Sequence, residues 1–259
     1  MIRNPVVAVV SPKGGNGKTT IAANLVAAMA RISAPVIVDL DVHFGDVEYA
    51  FRLRPFHRLD SVIGELREHP RDGVEHLLTA HPVGISALCA PADPVAADYL
   101  VADDVFPVVD AIIDLERPVV LDTAGGISDF TLGALDRATE IVMVCGTDVP
   151  SVRATQKLLE TMDRIGMDTG GAHLLVNRST AKCGLSVRDI EAAIGRSAVI
   201  EIPEHPSLAA GMNQGSPVTE TDPSSPVAMP IVSFARRLQD VDRRRGRFRR
   251  FGRSSRSDS

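Results

Sequence analysis

The chain of 259 residues is 44% hydrophobic and 24% charged, with 4% aromatic residues and no Trp, a composition that suits one soluble α/β domain with an aliphatic core. No run approaches the roughly 18 apolar residues of a membrane span, and the N-terminus is not of the cleavable signal type, so we expect a cytoplasmic protein. The three cysteines form no C-x-x-C pair, which argues against a disulfide framework and a thiolate metal site.

Short apolar runs of strand length alternate with longer amphipathic segments. This alternation predicts an α/β fold: a doubly wound, mostly parallel sheet of seven or eight strands with helices on both faces. The predicted strands are Val6–Val10, Pro35–Asp39, Ile85–Cys89, Pro118–Asp122, Glu140–Cys145, His173–Asn177 and Ala198–Ile202. The predicted helices are Thr19–Ile32, Ala102–Leu115, Ser151–Ile165, Ser186–Ile194 and Ile231–Val241, with N-caps at Ser151 and Ser186. The interval Val42–Val83 breaks the alternation and predicts short helices on the rim.

The C-terminal residues differ in charge from the rest of the chain. Ten Arg stand against three Asp from Arg236 to Ser259, so a body with a charge near −12 precedes an end with a charge near +7. We therefore divide the chain into a folded domain, residues 1–241, and a basic, disordered tail, residues 242–259. The arginines of Arg243–Arg256 can contact an anionic membrane, hold DNA phosphates non-specifically, or serve only solubility.

A phosphate-binding loop is predicted at SPKGGNGKTT, Ser11–Thr20, between the first strand and the first helix. Its glycines let the backbone curl round a phosphate with N–H groups pointing inward. Lys18 supplies charge for the β- and γ-phosphates, and Thr19 offers a hydroxyl to magnesium. A Gly- and Lys-rich turn without a ligand is the alternative, which this context disfavours. The predicted nucleotide-binding residues are Lys13, Gly14, Gly15, Asn16, Gly17, Lys18, Thr19 and Thr20.

Acidic residues end two other predicted strands. Asp39 and Asp41 form a D-x-D at one strand end, and Asp122 ends another before two glycines. The carboxyl ends of parallel strands share one edge of a sheet, so we expect these carboxylates beside the phosphate loop. Asp122 is expected to contact magnesium, although a strand-end Asp also serves as a helix N-cap. Asp46 either joins the same segment or is a solvated loop residue.

A further strand ends in Asn177 and Arg178. An amide there can hydrogen-bond an adenine edge and a guanidinium can stack on its face, so both are predicted to bind the base of the nucleotide. The alternative is an ordinary Asn-Arg turn.

The loop KGGNGKTT, with Pro12 where the standard motif has Gly, resembles the deviant Walker A motif of the MinD/ParA family. The resemblance implies that Lys13 crosses to the nucleotide of a partner subunit, so that ATP promotes a homodimer. It also implies that Asp39 lies near magnesium and that Asp41 positions the attacking water. The implied catalytic residues are Lys13, Lys18 and Asp41, and the implied metal-site residues are Thr19, Asp39 and Asp122.

Three longer phrases, DLDVHFGDVEYAF, HPVGISALCAPADP and IPEHPSLAAGMNQGSPVTETDPSSPVA, most resemble the CpaE/TadZ-like ATPases of pilus assembly, here without the receiver-like domain that usually precedes the ATPase. The resemblance implies a magnesium-dependent switch that hydrolyses ATP to ADP and phosphate and positions or assembles a cargo. It would work with an unidentified activator or cargo protein, in the cytoplasm or at the inner face of the cell membrane. The alternatives are a nucleotide-binding scaffold with little hydrolysis and a DNA-binding, ParA-like partitioning ATPase.

Overall fold

A computed structural model describes residues 4–68, 73–180 and 184–251. Eight strands form one sheet: Val6–Val10 (β1), Val36–Leu40 (β2), Thr79–Ala80 (β3), Ser86–Leu88 (β4), Val119–Thr123 (β5), Glu140–Cys145 (β6), Ala172–Asn177 (β7) and Ala198–Ile202 (β8). Their spatial order is β3-β4-β2-β5-β1-β6-β7-β8. Every neighbouring pair is parallel except β3 with β4.

Helices cover both faces of the sheet because the central strands are apolar on both faces. They are Lys18–Met29 (α1), Val47–Ala50 (α2), Leu59–Glu68 (α3), Pro94–Ala97 (α4), Ala102–Ile113 (α5), Asp129–Arg137 (α6), Val149–Arg164 (α7), Val187–Ile194 (α8), Pro206–Gln214 (α9), Val218–Thr221 (α10) and Met229–Phe251 (α11). One core joins α1 and α11 to the β1 face carrying Val7 and Val9. The other joins α3, α5 and α6 to the face carrying Val6, Ala8 and Val10.

The predicted fold class is confirmed, and each predicted strand agrees with the observed one within a residue at either end. The interval Val42–Val83 holds the expected short helices but also β3, an antiparallel edge strand that the sequence analysis missed. With only two residues, β3 is too short to show the alternation of apolar and polar residues that predicts a strand.

One of the two predicted helix N-caps agrees with the structure. Ser186 is the N-cap of α8, in a capping box with Asp189. The prediction for Ser151 was wrong: α7 begins at Val149, and its N-cap is Asp148, whose carboxylate accepts a hydrogen bond from the Ser151 amide at 2.9 Å. The Asp148 carboxylate stands before the helix and carries a negative charge, so it satisfies the free N–H groups of the first turn better than the Ser151 hydroxyl, which lies within that turn.

The last helix continues to Phe251, beyond the predicted end at Val241. Residues 252–259, the end of the proposed basic tail, lie outside the described part of the chain, and the division at residue 242 stays a prediction. None of the described helices combines the length and hydrophobicity that a bilayer-spanning segment requires.

Candidate functional site

The loop between β1 and α1 lies at the carboxyl end of a central strand, where ligands bind in open parallel sheets. Gly15 and Gly17 have φ values of 82° and 90°, a left-handed conformation that side-chain-bearing residues avoid. Gly17 is the N-cap residue of α1, so the free N–H groups of the first turn face the loop. The backbone therefore forms an anion-binding cradle, and the buried Lys18 closes it.

Hydrogen bonds from segments on either side of β1 hold this loop in shape. Asn177, at the end of β7, donates its side-chain N–H to the carbonyl of Asn16 at 2.8 Å. On the other side, the Gly126 amide donates to the carbonyl of Ser11 at 3.1 Å. The loop is therefore preorganised by the end of β7 on one side of β1 and by the loop after β5 on the other.

Gly17→Ala should damage both folding and nucleotide binding. A Cβ at Gly17 would stand 2.6 Å from Asn177 Nδ2, and a left-handed alanine costs about 1–2 kcal/mol. We expect a lower melting temperature and at least a tenfold loss of ATP affinity by calorimetry. Gly84→Ala is the matched control, because its φ of 97° carries the same strain while its nearest neighbour would be 3.9 Å away. If both variants bind ATP equally well, the loop conformation does not matter for the ligand.

Two carboxylates lie side by side at the end of the sheet next to this loop. Asp39 on β2 and Asp122 on β5 are register partners, and both are almost completely buried. Asp39 accepts hydrogen bonds from the amides of Val47 at 3.1 Å and Asp41 at 3.2 Å. Both oxygens of Asp122 are buried without a hydrogen-bond partner among the described residues. A buried carboxylate without donors requires a proton or a cation.

Both carboxyls are displaced from the ordinary behaviour of an aspartate. Burial, and then the charge of Asp122, raise the pKa of Asp39 well above its usual value. Burial raises the pKa of Asp122 to about 7, although the nearby Thr19 hydroxyl and Lys18 ammonium oppose that rise. Perturbed carboxyls of this kind concentrate at functional sites.

These residues fit a magnesium ion. Oxygen ligands are what Mg²⁺ takes in proteins, and the unpartnered Asp122 carboxylate, with Thr19 nearby at the start of α1, offers them beside the phosphate cradle. Asp39 is already bonded to two amides and would support the ion from beyond its direct ligands. The predicted trio of Thr19, Asp39 and Asp122 is thus brought together.

Asp41 and Asp46 lie on the segment after β2, near the same carboxylates. Asp41 is fixed through its backbone, with its amide bonded to Asp39 and its carbonyl accepting from Phe44 at 3.2 Å. Burial is the main cause of the raised pKa values of Asp39, Asp46 and Asp122, and the negative charge of Asp41 adds to each of them, so Asp41 lies close to these acids. Asp46 lies on the same segment but is exposed to solvent.

The loop after β5 approaches the phosphate loop closely at Gly125. A Cβ there would lie 2.9 Å from the Gly14 backbone nitrogen, so only glycine permits this contact. The gain or loss of a γ-phosphate at the phosphate loop would therefore directly affect the segment that leads into α6.

The two lysines of the phosphate loop have different environments. Lys18 is buried at the start of α1, whereas the Lys13 side chain is 45% exposed. The Lys13 ammonium lies 3.9 Å from the carboxylate of Asp148, at the start of α7. The structure therefore brings Lys18 to the carboxylate cluster and turns Lys13 away from it.

A cavity of about 550 Å³ lies beyond Gly17, and Asn177 and Arg178 are among its lining residues. Their contact with the base of a nucleotide stays a prediction. The Asn177 amide is already engaged, however, because its oxygen also accepts from the Arg178 amide at 3.0 Å. Thr20, one of the predicted nucleotide-binding residues, also lines the cavity. The sequence analysis did not assign the remaining lining residues, which come from the turn after β8 and from α9: Pro203, Glu204, His205, Pro206, Leu208 and Ala209. Their only signal was the position of IPEHPS after a strand.

Known proteins share sequence features with this chain. Residues 7–218 match the family model described as the CobQ/CobB/MinD/ParA nucleotide binding domain. An ATP-binding protein of Methanocaldococcus jannaschii is 30% identical over 239 residues, which cover 90% of this chain and 86% of that protein. The septum site-determining protein MinD of Thermotoga maritima is 23% identical over 244 residues, covering 90% and 88%.

Solved structures share the fold. A ParA family ATPase from Chlorobium tepidum superposes with a TM-score of 0.82 at 19% identity, covering 91% of this chain and 98% of that one. The septum site-determining protein MinD of Pyrococcus horikoshii, solved with Mg-ADP, gives a TM-score of 0.80 at 18% identity, covering 92% and 97%.

Proposed function

Because the chain belongs to the CobQ/CobB/MinD/ParA family of nucleotide-binding domains, we propose that it is a magnesium-dependent ATPase switch in which ATP joins two copies and hydrolysis to ADP and phosphate releases them. The contrast between the two loop lysines carries this proposal. Lys18 is buried over its own phosphate cradle, while Lys13 projects from the same loop with 45% of its side chain exposed. A cation held at the surface beside a triphosphate is suited to a second molecule's nucleotide.

The proposed chemistry distributes the negative charge of the triphosphate over fixed groups. Backbone N–H groups at the start of α1 and the Lys18 ammonium hold the phosphates, and Asn177 keeps the loop in that shape. Magnesium, bound near Asp122, would neutralise charge that develops on the β- and γ-phosphates. Asp41 accepts a hydrogen bond from the attacking water and orients it toward the γ-phosphate.

The experiment compares Lys13→Ala with Lys18→Ala. We expect Lys18→Ala to lose nucleotide affinity by more than tenfold, because the ammonium sits over its own cradle. Lys13→Ala should keep that affinity yet remain monomeric with ATP and magnesium, because its cation serves the other copy. Calorimetry measures the affinity, and sedimentation with a non-hydrolysable ATP analogue measures the dimer.

Unchanged dimers in both variants would overturn the proposal. A dimer without phosphate release would instead favour the scaffold alternative.

We also propose a cargo and a cellular surface for this switch. The phrases shared with CpaE/TadZ-like ATPases support a cargo in pilus assembly, and the basic residues of Arg243–Arg256 support contact with the inner face of the cell membrane or with DNA. The chromosome-partitioning ATPase Soj of Thermus thermophilus, which is 32% identical over 166 residues covering 61% of each chain, supports the DNA alternative.

A further inference from the structure

Asn16 occupies the variable position of the phosphate loop, yet its side chain is buried in a polar network. Its amide nitrogen donates to the Ser11 hydroxyl at 2.8 Å, and its amide oxygen lies 3.1 Å from the Ser151 hydroxyl. Asn16, Ser11 and Ser151 are 8%, 1% and 1% exposed. A buried network in which each member is bonded fixes geometry, so the loop and the first turn of α7 form one unit.

The network ends at a carboxylate that faces Lys13. The Ser151 hydroxyl is shared between Asn16 and Asp148, whose Oδ2 lies 2.5 Å away. The other carboxylate oxygen, Oδ1, accepts from the Ser151 amide at 2.9 Å and lies 3.9 Å from the Lys13 ammonium. These Ser151 bonds, and then the Lys13 charge, lower the pKa of Asp148 and keep it ionised. Asp148 is thus a fixed anion within reach of Lys13.

We propose that Asp148 is a positioning residue that retains Lys13 within its own molecule before the two copies meet. The Lys13 ammonium has two competing anions, the carboxylate of its own Asp148 and the triphosphate of the second copy. Asn16 and Ser151 hold the first anion in place, so association must break that ion pair. This inference rests on the proposed function, since the second anion is the partner's nucleotide.

The expected effect is modest. Both side chains are about half exposed, and ion pairs in such positions contribute little because water screens them. We therefore expect changes of about two- to fivefold.

The first test uses the nucleotide-free monomer and does not depend on dimerisation. Asp148→Asn removes the charge and keeps a good N-cap for α7. Because the ion pair with Asp148 holds the Lys13 ammonium against the start of α7, where a reagent reaches it less easily, reductive methylation of Lys13, followed by mass spectrometry, should be two to five times faster in Asp148→Asn than in the wild type. Exposed Lys157 is the internal reference. Asp93→Asn, at the N-cap of α4, is the matched control and should change nothing. Equal Lys13 rates would overturn the proposal.

The second test measures association. With a non-hydrolysable ATP analogue and magnesium, Asp148→Asn should lower the monomer–dimer dissociation constant two- to fivefold. An unchanged or weaker dimer would overturn the proposal. If the wild type does not dimerise at all, the proposed function fails, and the methylation rates alone decide whether Asp148 retains Lys13.

Discussion

Asp41→Ala should lower ATP hydrolysis by roughly 100-fold or more, the usual contribution of a group that accepts or orients a proton in the transition state. The backbone of Asp41 is fixed by its bonds to Asp39 and Phe44, and the residue lies on the segment after β2, outside the phosphate loop. ATP affinity should therefore change little. Since release requires hydrolysis, dimers formed with ATP should persist for hours. Phosphate release and size-exclusion chromatography measure the two effects.

Asp46→Ala is the matched control for this variant. Asp46 lies on the same segment, and although it is the N-cap residue of α2, its side chain makes no capping hydrogen bond. We expect hydrolysis within a few-fold of the wild type. Equal losses in both variants would mean that the segment as a whole, and not the Asp41 carboxylate, supports hydrolysis.

Asp122→Asn should stabilise the metal-free protein at pH 8. The pKa of Asp122 is about 7 in the folded protein, against an ordinary value of 3.8, so the folded state retains a proton that the unfolded state loses. The free energy of unfolding therefore falls as the pH rises from about 4 to about 7. Asparagine carries no charge, so the free energy of unfolding of the variant does not fall in this way as the pH rises. We expect a gain on the order of 2 kcal/mol at pH 8, or roughly 4–8 °C, and little gain at pH 4.

Magnesium with nucleotide should reverse the relative stability of the two proteins, because the ion supplies the positive partner that the Asp122 carboxylate lacks. The wild type should then gain stability at pH 8 and Asp122→Asn should not. Thermal melting in EDTA and in Mg-ADP separates the two conditions. Exposed Asp129→Asn is the control and should follow the wild type. A metal-free Asp122→Asn protein that is less stable than the wild type at pH 8 would show that the carboxylate has a structural partner.

The sequence predicted the parts of the fold and site whose cause is local. Strands such as Val119–Thr123 are short runs buried on both faces, and periodicity alone identifies them. The phosphate loop follows from its glycines, and the acids follow from strand ends, because parallel strands bring those ends to one edge.

What the sequence did not predict depends on contacts between distant segments. Asp148 could not be recognised as a partner of Lys13, because that contact requires α7 to begin beside the phosphate loop. Asn16 was predicted only to bind nucleotide, but its side chain bonds to Ser11 and Ser151, 135 positions away. The engagement of the Asn177 amide with Asn16 was equally invisible, since it links positions 161 residues apart.

The central claim is that Lys13 serves the nucleotide of the other copy, and mixing two inactive variants tests it most directly. Lys13→Ala keeps Asp41, and Asp41→Ala keeps Lys13, so a mixed dimer contains one complete site only if Lys13 acts across the interface. When equal amounts are combined before ATP and magnesium are added, phosphate release should rise well above the sum of the separate variants. If Lys13 acts within its own chain, neither molecule holds both groups, and release from the mixture equal to that sum would contradict the account.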